Sequence, residues 1–237
     1  KWQKMEELRL ACENPVIANN KEYFETIARQ DKWQKMEELR LACENPVIAN
    51  NKEYFETIAR QDKWQKMEEL RLACENPVIA RNKEYFEIIA GQDSCLKMDQ
   101  LRLACKIPVV ANNKEYFEII ARQDKWEKMK ELRLACKIPV VANNKEYFEI
   151  IARQDKWEKV KELRLACRNP VIANSKEYFE IIAGQDEWEK MERLCLFLEN
   201  PVIANNKEYF EIIARQDEWE KVKELRLAYI SQEKVKE

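Results

Sequence analysis

The chain of 237 residues contains no histidine and only two glycines, Gly91 and Gly184. Without histidine there is no imidazole general base and no His-containing zinc site, and two isolated glycines cannot build a phosphate-cradling loop. No apolar run approaches the ~18 to 20 residues that a bilayer-spanning helix needs. Charge of one sign is missing too, because 42 Lys and Arg face 44 Asp and Glu for a net charge of −2. That balance argues against a polyanion binder. The amino-terminal residues Lys1, Trp2, Gln3 and Lys4 carry no signal-peptide pattern.

What is present is a repeat. Aligned on itself, the chain has a period of 31 residues with no insertion or deletion, and residues 1–31 and 32–62 are identical. Further copies begin at 63, 94, 125, 156 and 187, and a partial eighth runs from Glu218 until its sequence departs at Tyr229. The whole of 1–237 therefore reads as a single array, closed by a polar segment over 230–237. Units that each stack only on their neighbours produce this pattern.

Within a unit, punctuation separates two helices. The stretch 20–30 opens on Asn19 and Asn20, with Glu22 three residues after Asn19 as in a capping box, and is termed helix A. Asp31, followed three residues later by Gln34, repeats the start signal for a second helix, B. One continuous helix over 21–44 would carry two apolar stripes about 145° apart at ~100° per residue. A break near Asp31 lets both stripes face one core. Helix B ends before a proline that recurs at 15, 46, 77, 108, 139, 170 and 201. After it, Val-Ile-Ala is expected to form an apolar connector tucked under the next helix A. The expected fold is all-α, an α-solenoid wound as a right-handed superhelix.

The unit resembles members of the HEAT-like α-solenoid superfamily. The segment Leu39-Arg40-Leu41-Ala42-Cys43-Glu44-Asn45-Pro46, followed by Ile58-Ala59-Arg60-Gln61-Asp62, is similar to the leucine-rich repeat variant pattern. That family has a shorter unit, and its iron-sulfur association finds no matching cysteine cluster here. The resemblance implies a stacked helical superhelix used for binding, with no chemistry of its own.

Several columns invite a chemical reading. Cys12, Cys43, Cys74, Cys105, Cys136 and Cys167 recur at one position. Stacked equivalents lie about one helix-packing distance apart, ~10 Å, too far for one metal or for a disulfide. Buried free thiols are expected, and with them a reducing, cytoplasmic compartment. The column Trp2, Trp33, Trp64, Trp126, Trp157, Trp188 and Trp219 reads as a seam between helices A and B rather than a stacking ladder for bases. Copy four supports the seam, since Cys95 replaces Trp and Leu96 beside it would compensate. Tyr23 and Phe24 and their equivalents are the core of helix A. Arg9 and its equivalents either offer bidentate contacts to a ligand or lay their stems on the core and pair with a neighbouring Glu, the commoner arrangement. Cys195 replaces this Arg in copy seven, beside Phe197 and Leu198, which implies local repacking. Gly91 and Gly184 replace an Arg at the end of helix A, where glycine serves as a C-cap or permits close approach.

Substitutions between copies concentrate on helix B. The third position holds Gln3, Gln34, Gln65, Leu96, Glu127, Glu158 and Glu189. The sixth holds Glu6, Glu37, Glu68, Asp99, Lys130, Lys161 and Glu192. The seventh holds Glu7, Glu38, Glu69, Gln100, Glu131, Glu162 and Arg193. On a helical wheel these span about 100° opposite the apolar stripe. The face is either ligand-selecting or a solvated surface free to drift.

Enzymatic activity has the least support, and no cofactor or metal is expected. Nucleic acid is disfavoured, because the commonest repeat carries five basic against six acidic residues. The expectation is a scaffold that binds a protein or peptide through a concave, variable face. The alternative is a structural rod or end-to-end assembly, and a modular RNA- or DNA-binding repeat ranks below both. No membrane partner is expected.

Overall fold

A computed structural model of the chain describes residues 2–216. Lys1, Trp219, the partial eighth copy from Glu218 and the polar segment 230–237 lie outside the described residues. The described residues are helical throughout with no strand, and the chain divides into two compact units, Lys1–Met129 and Lys130–Glu237. Each is an α-solenoid. In the first, B helices span Trp2–Glu13, Trp33–Ala42, Trp64–Ala73 and Cys95–Ala104, and A helices span Lys21–Ala28, Lys52–Ala59, Lys83–Ala90 and Lys114–Ala121. In the second, B helices span Trp157–Ala166 and Trp188–Phe197, and A helices span Lys145–Ala152, Lys176–Ala183 and Lys207–Ala214. The helix Trp126–Ala135 contains the boundary.

The connector differs from the expectation. It is a third, one-turn helix in each of the seven described repeats, as at Pro15–Ala18 and Pro46–Ala49. Proline ends helix B and also starts the connector, since its fixed φ and missing N–H suit the first helical position. Asn45 caps that turn, its side chain accepting from the Val47 N–H at 2.9 Å. Asn14, Asn76, Asn169 and Asn200 repeat the arrangement. Ile107 and Ile138 provide no cap and are buried instead. Replacing Asn45 with Ala is expected to cost about 1 kcal/mol, and with Ile less, which urea unfolding midpoints would resolve.

Two start signals also shift. Helix A is capped by Asn20, whose side chain accepts from the N–H groups of Glu22 and Tyr23, while Asn19 ends the connector turn. The capping box counted from Asn19 is therefore one residue out of register. Helix B starts at Trp33 with Lys32 at the cap position and no side-chain cap. Asp31 instead pairs with Lys35 one turn on, at 3.3 Å, which holds its carboxyl below the usual range. It stabilises the first turn through charge.

Within each unit, B helices such as Trp33–Ala42 and Trp188–Phe197 pack against the A helices before and after them, and successive B helices such as Trp33–Ala42 and Trp64–Ala73, or Trp157–Ala166 and Trp188–Phe197, stack on one another. Met36, Leu39 and Ala42 from helix B meet Tyr54, Phe55 and Ile58 from helix A in a closed core, with Ile48 of the connector beneath them. Within each unit, an aromatic stack in which a Tyr lies on the Phe of the next repeat contributes to cohesion between repeats. Tyr23 and Phe55 have ring centroids 4.1 Å apart at 17°, and Tyr54 and Phe86 repeat the contact at 4.3 Å. The second unit repeats it with Tyr147 and Phe179 at 4.5 Å. The same hydroxyls donate to the following connector, Tyr54 to the Ile79 carbonyl at 3.2 Å and Tyr147 to that of Ile172 at 3.0 Å. One side chain thus fixes both the spacing of the A helices and the position of the next one-turn helix.

Candidate functional site

The seventh B-helix position does not belong to the solvated face. Glu7, Glu38, Gln100, Glu131 and Glu162 are buried, and Glu69 and Arg193 are half-buried. A helical wheel registers only the stripe facing the A helices, whereas a B helix inside a stack has a second contact surface, the neighbouring B helix. There Glu7, Glu38, Glu69 and Glu131 each accept from the Arg of the next repeat. Arg40 Nε donates to Glu7 at 2.9 Å, Arg71 to Glu38 at 2.9 Å, and Arg102 to Glu69 at 2.9 Å. In the second unit Arg164 donates to Glu131 at 2.6 Å. Of the two arginine readings, the pairing with a neighbouring Glu is the one observed for these four. Burial still dominates the carboxyls: it pushes Glu38 and Glu69 upward although their arginines pull the other way.

A second, exposed ladder joins the A helices. Lys52 pairs with Glu22, Lys83 with Glu53 at 2.6 Å, Lys114 with Glu84 at 2.6 Å, and Lys176 with Glu146 at 2.8 Å. Exposed pairs of this kind add little each and set register more than stability.

The Arg–Glu ladder is interrupted after repeat six. Cys195 stands where Arg would donate to Glu162, and Phe197 and Leu198 fill the core beside it, both buried. Phe197 and Leu198 take the buried places that Ala42 and Cys43 hold in the second copy. Among the described residues Glu162 has an ion pair with Lys161, at 3.7 Å, and burial raises its pKa, with Lys161 and Arg164 opposing and Glu192 reinforcing the shift. A folded-state pKa above the unfolded one means that the ionised carboxylate opposes folding once pH exceeds it. Glu162→Gln is thus expected to stabilise by about 1 kcal/mol at neutral pH. The gain should shrink as pH falls through the carboxyl's range, measured by urea unfolding against pH.

The third and sixth positions do reach the surface. In the first unit Gln3, Gln65 and Leu96 are exposed and Gln34 and Glu127 half-buried, beside half-buried Glu6, Glu37, Glu68 and Asp99. In the second unit Lys130 and Glu192 are exposed, and Glu158, Lys161 and Glu189 half-buried. Leu96, at 53% exposure, does not compensate for the missing Trp; Cys95 occupies that place, half-buried. The column members Trp33, Trp64, Trp126, Trp157 and Trp188 are half-buried, while Trp2 is exposed.

Cys43, Cys74, Cys105, Cys136 and Cys167 are free and buried, and burial pushes each thiol up to about 12. Such thiols stay protonated and pack as small apolar groups. Cys12 is exposed. Among the described residues, no group of three Cys, Asp or Glu side chains is placed to hold a metal ion, and no helix is long and apolar enough to cross a membrane.

Gly91 and Gly184 stand at the C-caps of their A helices, as expected, but the close approach is not there. Both are right-handed, with φ of −75° and −76°, and a Cβ at either would meet nothing closer than a carbonyl oxygen at 3.4 Å. Neither backbone conformation nor close approach calls for glycine there. The two junction ladders, the buried thiols and the surface rows together describe a helical repeat array. Comparison with protein-family models finds none that matches the chain, and comparison with curated proteins likewise finds no match.

Proposed function

We propose that the chain is a non-enzymatic α-helical repeat scaffold, HEAT-like in kind, that binds a protein or peptide along the third and sixth positions of its B helices. One contrast carries the reading. Positions that join repeats, such as Tyr54, Phe55, Glu38 and Arg71, keep their residue type in most copies, whereas the surface row changes from Gln to Leu to Glu and from Glu to Asp to Lys. A surface that varies on a constant frame is how repeat arrays distinguish partners. The near-balanced charge of each repeat disfavours phosphate backbones as the ligand. Protonated, buried thiols accord with a reducing compartment.

The test is a peptide-array screen of the native chain against a variant with every third and sixth B-helix position made Gln, leaving the seventh-position ladder intact. The proposal expects the variant to lose the native chain's peptides while keeping its helicity. Unchanged selectivity would contradict it.

End-to-end assembly is a second reading, favoured by units that each stack only on their neighbours. Light scattering against concentration distinguishes the two: growth of the particle supports assembly, and a constant mass removes it.

A further inference from the structure

A helices end on a conserved device within this chain, and two repeats lack it. Arg29, Arg60 and Arg122 each reach back one turn to Glu25, Glu56 and Glu118, at 3.1, 3.0 and 3.0 Å. Arg153 and Arg215 do the same in the second unit with Glu149 and Glu211, at 3.6 and 3.4 Å. In repeats three and six the arginine is Gly91 or Gly184, but the glutamate remains. Glu87 keeps Lys83 at 3.4 Å, and Glu180 keeps Lys176 at 3.3 Å. Their side chains are 55% and 51% exposed, against 30% to 41% for Glu25, Glu118 and Glu149 beneath their arginines.

The backbone does not require glycine at either place, since both residues are right-handed and have room for a side chain. What glycine does is leave the arginine's course open. At Gly91 a groove of about 380 Å³ lies between neighbouring A helices, lined by Ile88, Gly91, Gln92, Glu118, Ala121 and Arg122. Ala121 is buried and Ile88 half-buried, so the floor is apolar. Glu118 and Arg122 are already paired with each other, which leaves Glu87, one turn back from Gly91, as the carboxylate with coordination to spare.

We propose that the Gly91 groove, and the equivalent place at Gly184, each dock an arginine side chain presented by a partner peptide. The incoming stem lies over the glycine and against Ala121 and Ile88, and its guanidinium takes the place at Glu87 that the chain's own arginine takes beside the equivalent glutamate in other repeats. At Gly184 the carboxylate is Glu180. Arginine suits the place better than lysine, because a planar fork can bind the carboxylate while its apolar stem covers the floor. One exposed ion pair contributes little, so a single arginine binds with a Kd of ~10 mM, and a real partner gains affinity by engaging the frame elsewhere. The proposal rests on the reading of the chain as a peptide-binding scaffold, but on a face that the B-helix rows do not include.

The composition supplies the experiment. Because the chain has only two glycines, ¹⁵N-glycine labelling yields two amide signals, one at each proposed site, assigned by Gly91→Ala. Titration with acetyl-Gly-Arg-Gly-amide is expected to shift both signals saturably in the millimolar range, and the Gly-Glu-Gly peptide to shift neither. Glu87→Gln should abolish the response of the Gly91 signal while the Gly184 signal still moves, an internal proof that the variant is folded. If neither signal responds to the arginine peptide, if both peptides act alike, or if Glu87→Gln leaves the Gly91 response unchanged, the proposal is overturned. The variant with Gln at the third and sixth B-helix positions should keep both glycine shifts, so failure of that surface and failure of this one are separate results.

Discussion

Phe55→Ala is expected to destabilise the first unit by about 4 kcal/mol, the range seen when a fully buried aromatic is truncated. Phe55 has no exposed surface and stacks on Tyr23 of the preceding repeat at 4.1 Å. Truncation removes the ring's own burial, opens a void in a packed core and uncovers one face of Tyr23. The same substitution at Phe24 is the control. Phe24 is only half-buried, so its truncation should cost roughly 1 to 2 kcal/mol, the transfer of part of a ring without a closed cavity. Equal costs in urea unfolding would show that helix packing inside a repeat, rather than the stack between repeats, holds the array.

Arg71→Ala is expected to cost about 2 to 3 kcal/mol, because it leaves the carboxylate of buried Glu38 without its donor. The value sits at the low end for a broken buried pair, since the Arg71 side chain keeps some contact with water. Removing both charges together, as Glu38→Met with Arg71→Met, should recover most of the loss, because desolvation of the carboxylate already offsets much of the attraction, as its raised pKa indicates. A double variant as unstable as the single one would mean that the ladder itself, and not the stranding of a charge, stabilises the junction.

Much of this was legible because a 31-residue period repeats each local signal seven times. The recurrent prolines located the ends of helix B, the apolar stripes required a break near Asp31, and the spacing of the cysteines pointed to free thiols. What escaped the sequence lies between repeats. The burial of Glu38 and its equivalents depends on a neighbouring B helix that no single helical wheel contains. The Tyr54 hydroxyl meets a carbonyl 25 residues on, and the Tyr–Phe stack joins residues that sequence reasoning assigned to one helix's core. Other misreadings were local competitions. Asp31 and Asn20 both carry good capping side chains, but Lys35 drew Asp31 into an ion pair. Asn45 and Pro46, read as a chain break, are themselves a cap and a first helical residue. The exposed groove at Gly91 had a visible sign, the loss of an arginine, but the glutamate left behind became informative only once its exposure was known.

The central claim is that each repeat is stable only through its neighbours. Far-UV circular dichroism of a peptide comprising residues 63–93 alone tests it directly, since in the chain these residues form three helices. The claim predicts a largely unfolded spectrum with no cooperative thermal transition, because the Tyr85 and Phe86 faces and the Arg71 and Glu69 rungs have nothing to meet. A peptide with the helix content of the intact repeat and a cooperative melt would contradict it.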